Sequence, residues 1–548
     1  MDQSVASASI IAPRIAATTD AFDRLSLFGW RWGVAGIVAG LAISFLLFGY
    51  ALIYWRNADM DFMVIYNALV MNDGKPQHFF DHTAYITILS VKSWFRLLHG
   101  LGLLDTWSLS SMPSPSDAAA FDAAMTRAVR AGRLLAFLIA TGCVLSFAGL
   151  VRRIVRDWRV ALLATEAFAF SGGIAVHSRI LRSELMAAFP VIFALLVLIA
   201  AGRRATVARP IAIATAAALC VLGLENKVQA ILLIGALPLL ILPFGGAESA
   251  SVAFWRNTRS AWFATIAAAI VAVAAMWIAS PLITTGFDRA LLDAAQLHPL
   301  LIGRYGVYQA ALLVLICTCV IAYAAIWRVS AAETLASIMT LAAGATISLL
   351  ALNIEYNTSN VIAVINPLEK MLTFADTATA NAAGGSVLSA IQLLLDGIGP
   401  VLARYTFVLY SSARPTVFLI WLIVPGIVVA WRRAERQTAI QALLLLLAAT
   451  GIDVLGVRRG LKSEYFIFTD PLIVLAGALL LDRLSDVRFA TWTYPIAVTL
   501  LALHLTIGQA EPVKHAFKQT GNGSNCEWSQ SYMPLMPLPW CPAPPLPP

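Results

Sequence analysis

Charge is scarce in this chain of 548 residues: 12% are Asp, Glu, Lys or Arg, against 59% hydrophobic. An average soluble domain carries about 25% charged residues, so the ordinary soluble classes are excluded. Cysteine is scarce too, with six residues and no CxxC pair, which removes the common structural zinc patterns. The two halves show no self-similarity, and with that goes the internal repeat that many transporters are built from. Apolar length is what the chain has in abundance. Its mean hydropathy of +0.79 belongs to a polytopic membrane protein.

The net charge of +8 does not point to nucleic acid, because the arginines fall in short clusters between apolar runs. Arg152, Arg153, Arg156 and Arg159 form one cluster, Arg203, Arg204 and Arg209 another, and Arg432, Arg433 and Arg436 a third. The positive-inside rule puts them on the cytoplasmic side. Spans at 33–55, 131–151, 160–177, 184–201, 210–224, 228–243, 261–280, 306–327, 334–352, 414–431, 438–455, 465–482 and 489–508 satisfy it. The expectation is an all-α integral membrane protein with about thirteen helices, in a plasma (inner) membrane. It divides into a cytoplasmic segment 1–32, transmembrane modules 33–305 and 306–508, and a Pro-rich extracytoplasmic tail 509–548. The first apolar run is too long, and lacks the small-residue site, for a cleaved signal.

Three outward segments then follow: 56–130, 353–413 and the tail. The tail ends in a run of prolines that favours extended backbone without a core of its own; Cys526 and Cys541 lie in it and can pair in an oxidising compartment. The first outer loop reads as amphipathic juxtamembrane helices. It opens with Asp59-Met60-Asp61-Phe62, two carboxylates where a membrane helix meets water. A short helix lying on the membrane, a stop at Gly74-Lys75-Pro76 and a loop with Asp81-His82 complete it.

Further along, His177-Ser178-Arg179-Ile180-Leu181-Arg182-Ser183-Glu184 places four ionisable groups at one outer helix junction, to meet a ligand or one another. Gly223-Leu224-Glu225-Asn226-Lys227 sets a lysine between apolar runs, a compact cation suited to phosphate unless Glu225 neutralises it. Arg458-Arg459-Gly460-Leu461-Lys462-Ser463-Glu464-Tyr465 puts basic residues on the outer side, against the general trend, and so asks for an anionic partner such as a lipid-linked phosphate.

In that order and sidedness these motifs resemble the GT-C superfamily of membrane glycosyltransferases, near the branch of protein O-mannosyltransferases and lipid A aminoarabinose transferases. The resemblance covers roughly residues 30–305 and returns at Lys462-Ser463-Glu464-Tyr465-Phe466 before Asp470-Pro471. It implies a sugar taken from a polyprenyl-phosphate donor and passed on the extracytoplasmic (periplasmic) face to a glycan, lipid or protein acceptor. It also implies that Asp61 or Asp59 is the catalytic base, with Asp61 the better placed. His82, Arg179, Arg182, Glu184, Lys227, Arg458, Arg459, Lys462 and Tyr465 are the expected substrate-binding residues. Many members have adjacent Asp-Glu where this chain has Asp-Met-Asp, so the two aspartates compete for the role. A single base implies inversion at the anomeric carbon.

The chemistry agrees with that assignment. A carboxylate within hydrogen-bond reach activates the acceptor hydroxyl, and fixed cations stabilise the departing phosphate in a low-dielectric cleft. A divalent cation, Mg or Mn, at Asp59 and Asp61 is an open expectation, two carboxylates alone being a weak site. Two other classes compete: a transporter or flippase of a lipid-linked or anionic solute, and a structural subunit of an envelope assembly.

Overall fold

A computed structural model of the chain describes residues 28–51, 60–77, 84–203, 209–241, 258–285, 330–355, 387–406, 416–456, 463–484, parts of 495–513, and 526–541. Within these residues every regular element is a helix. Five helices are long and apolar enough to cross a membrane: Phe28–Tyr50, Ala118–Ile154, Glu184–Ala201, Ala331–Leu352 and Arg436–Gly456. Shorter apolar helices stand beside them at Pro210–Asn226, Ala230–Ile241, Arg259–Ala275 and Val417–Arg432. The protein is an all-helical, multi-pass membrane protein. The expected span 306–327 and most of 489–508 lie outside the described residues.

The first helix, α1 (Phe28–Tyr50), ends in a π turn from Leu46 to Tyr50. It is peripheral, with Trp32, Ile43, Leu46 and Leu47 all more than half exposed toward the lipid. Next come α2 (Met60–Asn72), α3 (Tyr85–Gly100) and α4 (Ala118–Ile154). At 37 residues, α4 is ~55 Å long at ~1.5 Å per residue, well beyond ~30 Å of hydrocarbon. Asp117 caps it by accepting from the Ala120 N–H. The helix thus starts thirteen residues before the expected span 131–151 and carries its first turns out of the membrane.

Those turns support a separate outer cluster. Phe62, Tyr66, Leu69, Tyr85, Ile88, Phe95, Phe121 and Met125 pack there, joined by Met533, Met536 and Leu538 from the tail. Helix α2 is buried on all faces from Asp61 to Asn72, so it is a core helix and not one lying on the membrane with a wet side. The tail is held against this cluster. Cys526 and Cys541 are disulfide-bonded, Leu535 N–H donates to the Tyr66 hydroxyl, and Trp540 meets the Phe121 ring edge-on. Short apolar anchors between prolines let this tail borrow a core that it could not build alone.

In the membrane, α5 (Trp158–Ala169) and α6 (Gly172–His177) replace the single expected span 160–177. The chain breaks at Phe170-Ser171, where Ser171 caps α6. Then follow α7 (Glu184–Arg203), α8 (Arg209–Asn226), α9 (Ala230–Ile241), α10 (Thr258–Thr285), α11 (Ala331–Glu355), α12 (Val387–Thr406), α13 (Val417–Arg432), α14 (Arg436–Gly456) and α15 (Asp470–Leu484), with α16 (Cys526–Tyr532) in the tail. Helix α8 packs on α7 and α11, and α11 on α10, while α15 lies against α5, α13 and α14. At the arginine-rich end, the Arg156 and Asp157 N–H groups both donate to Asp482 at 2.9 Å. This joins the α4–α5 cluster to the end of α15 that carries Arg483, as the charge pattern requires. A 3-10 segment, Ser463–Phe468, enters α15 at the opposite end.

Candidate functional site

The loop between α6 and α7 is the meeting point. Asn226, at the end of α8, donates to Ser183 O at 2.7 Å and accepts from Thr87 N–H and Oγ1–H on α3. On the other flank Leu181 N–H donates to Asp61 Oδ1 at 2.5 Å. The seam between the outer cluster and the membrane helices is therefore stitched through this loop.

Asp61 is buried and bridged by Arg133, whose Nε and Nη2 reach Oδ2 at 3.1 and 2.8 Å. Arg133 Nη1 also donates to Gly49 O, fixing the end of α1. A carboxylate has about four lone-pair directions, and the three bonds from Arg133 and Leu181 leave room for one more donor. Sequence reasoning passed over Arg133. The available signal was a cation just inside an apolar run, Gly132-Arg133, where a charge without a partner is unfavourable.

Glu184 anchors a second group. Lys227 Nζ reaches its Oε1 at 2.5 Å, Arg182 approaches both oxygens at 3.3 Å, and His177 Nε2 lies 3.6 Å from Oε2. Arg182 also reaches Glu464 at 3.4 Å, and Lys227 stands over the Tyr465 ring at 5.5 Å. His177 Nδ1 donates to Gly173 O, since a carbonyl only accepts. Of the residues expected to bind substrate, Arg182, Glu184, Lys227 and Tyr465 therefore come together. Buried charges of this kind persist only when paired. Glu184 spends its charge on holding the cations.

Glycine is required beside this group. A Cβ on Gly173 would sit 2.7 Å from the backbone nitrogen of Ile467, so the 3-10 segment can press against α6 only there. Behind it, Asp453 accepts from the Tyr405 hydroxyl at 2.7 Å and from Thr469 Oγ1 at 2.9 Å, and Thr416 donates to Asp470. These acids in α14 and α15 fix the segment that presents Glu464 and Tyr465. For Asp453 the signal was a lone aspartate within the apolar run 438–455, while Asp470 stood in the Asp470-Pro471 pair.

Arg179 does not join the group. Its Nη2 donates to Ser44 Oγ and, at 2.7 Å, to Gln509, and its guanidinium lies over Phe48. Asp59, His82, Arg458, Arg459 and Lys462 lie outside the described residues. Among the described residues no three His, Cys, Asp or Glu side chains gather as a metal-ligand set; the cation site expected at Asp59 and Asp61 lies partly outside them.

No family profile and no curated protein matches the chain. Two solved structures do. One is an archaeal oligosaccharyltransferase, AglB from Archaeoglobus fulgidus, in complex with an inhibitory peptide and a dolichol-phosphate, with 13% identity and a TM-score of 0.47 over 94% of this chain and 61% of that one. The other is the Archaeoglobus fulgidus oligosaccharyltransferase in the apo form, with 12% identity and a TM-score of 0.45 over 92% of this chain and 60% of that one. The chain thus spans about three-fifths of their length. Likenesses of this size leave fold and function to be argued from the chain itself.

Proposed function

We propose that the protein is a GT-C-type membrane glycosyltransferase that moves a sugar from a polyprenyl-phosphate donor to an envelope glycan, lipid or protein acceptor on the outer face. The observation that supports this reading is the seam itself. One short loop ties a buried carboxylate with a remaining acceptor position, Asp61, to a cluster of cations held by Glu184. The acceptor hydroxyl passes its proton to Asp61 as its oxygen attacks the anomeric carbon, and the bond to the lipid phosphate breaks on the opposite side, giving inversion. Asp59 assists or replaces Asp61 in this step, alone or through a divalent cation. Lys227 and Arg182, with Arg458, Arg459 and Lys462, receive the phosphate charge. The positions of Lys227 and Arg182 are set in advance by Glu184, Glu464 and Tyr465, and His82 contacts the sugar or the acceptor.

The break between α5 and α6 favours a second reading, since transporters present substrates at broken helices near the bilayer midplane. Purified protein in lipid nanodiscs, given a polyprenyl-phosphate sugar with and without acceptor, separates the two. Donor consumption only with acceptor is expected. Movement of intact donor between leaflets without consumption overturns the enzyme reading.

A further inference from the structure

Helices α1 and α5 lie side by side, and glycine sets how closely they approach. A Cβ on Gly33 would run into Leu162, and one on Gly40 into Phe170. Between these two contacts the helices part. A Cβ on Gly36 would meet nothing within 4 Å, and a crevice of about 790 Å³ opens there, with Gly33, Gly36 and Ile37 on one wall and Thr506 and Gln509 on the other. Its floor is one stripe of α5, made of Leu162, Glu166 and Phe170 at four-residue spacing. Glu166 is the one charged residue in this lining. It is half-buried and borders the open space, and no hydrogen bond or ion pair reaches its carboxylate among the described residues.

Depth decides what can neutralise that carboxylate. Helix α5 begins at Trp158, directly after the arginine cluster that marks the membrane boundary. Glu166 therefore lies ~12 Å into the bilayer at ~1.5 Å per residue, near the middle of ~30 Å of hydrocarbon. Lipid headgroups stand too far off to bring charge to it. An acyl chain would cover the apolar walls but leave the carboxylate without a partner, which is unfavourable at this depth. A Lys or Arg on a membrane-spanning helix can be carried there, its apolar neighbours covering Leu162 and Phe170 while Gly33 and Gly36 let the two backbones come close. We infer that the crevice receives a transmembrane helix of a second protein, with a Lys or Arg near its middle paired to Glu166. Asp61, Glu184, Lys227 and Arg182 do not line this space, so the inference stands whether or not the transfer reading does.

The test uses the full chain in phosphatidylcholine vesicles with synthetic Leu/Ala helices of about 20 residues, which carry Lys, Leu or Glu at the centre beside a photoreactive leucine. Crosslinks are mapped by mass spectrometry. The Lys helix should be captured about tenfold more than the Leu helix, with adducts in 33–37 and 162–170. Glu166→Gln should bring the Lys helix down to the Leu level, and Glu166→Lys should move the preference to the Glu helix. Glu166→Gln should keep the wild-type melting temperature, because the carboxylate has no protein partner to lose. Gly36→Leu fills the crevice by a second route and should lower capture of the Lys helix about tenfold. Equal capture of the Lys and Leu helices by wild type, undiminished capture of the Lys helix by Glu166→Gln and Gly36→Leu, or adducts confined to other helices would overturn the assignment.

Discussion

The outer cluster and the membrane core are both apolar, yet they are built from different residues for different surroundings. Around α2 the packing is aromatic and thioether-rich, with Phe62, Tyr66, Phe95, Phe121, Met125 and Met533 closed off from solvent. Between the membrane helices it is mainly Ala, Val, Leu and Ile with a minority of rings such as Phe147 and Phe168, while Phe263, Val273 and Trp277 remain exposed on α10. Water on all sides forces the first region to close over itself, whereas lipid leaves the second free to expose apolar faces. The outer cluster also recruits a disulfide and a tail to complete its core. The ion pairs Asp61–Arg133 and Glu184–Lys227–Arg182 gather at the seam between the two packings. Perturbations of the seam should therefore affect activity, and those of the outer cluster local stability.

The largest effect is expected at Asp61. Asp61→Asn keeps the shape and still accepts from Leu181 N–H, but cannot take a proton. Turnover should fall ~10²–10⁴-fold while donor binding persists. The change also leaves Arg133 buried without its counter-charge, so the double variant Asp61→Asn/Arg133→Gln is the control. It removes both charges and should recover stability without recovering turnover. Transfer within tenfold of wild type in the single variant would return Asp61 to a purely anchoring role.

At Glu184 the effect is on folding first. Glu184→Gln leaves Lys227 and Arg182 without their shared carboxylate in a fully buried place, a loss of ~3–5 kcal/mol for one partner of a buried pair. Thermal unfolding in detergent measures it. Retained stability with lost donor binding would instead put Glu184 in contact with substrate.

These two residues show what could be read in advance. Charge clusters and apolar runs gave the class and put the α4–α5 arginines at the end of α15 that carries Arg483, because bilayer thickness and positive charge leave periodic marks in any chain. Residues of the 177–184, 223–229 and 463–465 stretches meet, since ionisable groups at apolar helix ends must find one another or a ligand. Their partnership through Glu184 was hidden because pairing across 43 residues has no local signal. The burial of α2 was hidden for the same reason: its apolar run is equally suited to lying on lipid or packing under a tail that arrives more than 450 residues later.

Removing the disulfide tests the outer cluster against the membrane core. With Cys526 and Cys541 spaced fifteen residues apart, the loop-closure contribution is ~3 kcal/mol. Cys526→Ser/Cys541→Ser should raise amide exchange in 60–72 and leave 436–456 unchanged. Equal acceleration in both would show that the two regions unfold as one unit.

The smallest effect is expected at the single hydroxyl that joins tail to helix. Tyr66→Phe removes the acceptor for Leu535 N–H and should cost ~1 kcal/mol, again seen as faster exchange in α2. The two proteins should diverge further at high pH. Burial pushes the Tyr66 phenol above its ordinary value of 10.0, so folding favours its protonated form. That contribution is fully present below pH 10 and is lost as pH rises through the folded value. Wild type should loosen at the tail above pH 10 while Tyr66→Phe holds a constant exchange difference between α2 and the membrane helices. Parallel pH profiles in both proteins would mean that the tail is held by Met533, Met536, Leu538 and Trp540 alone.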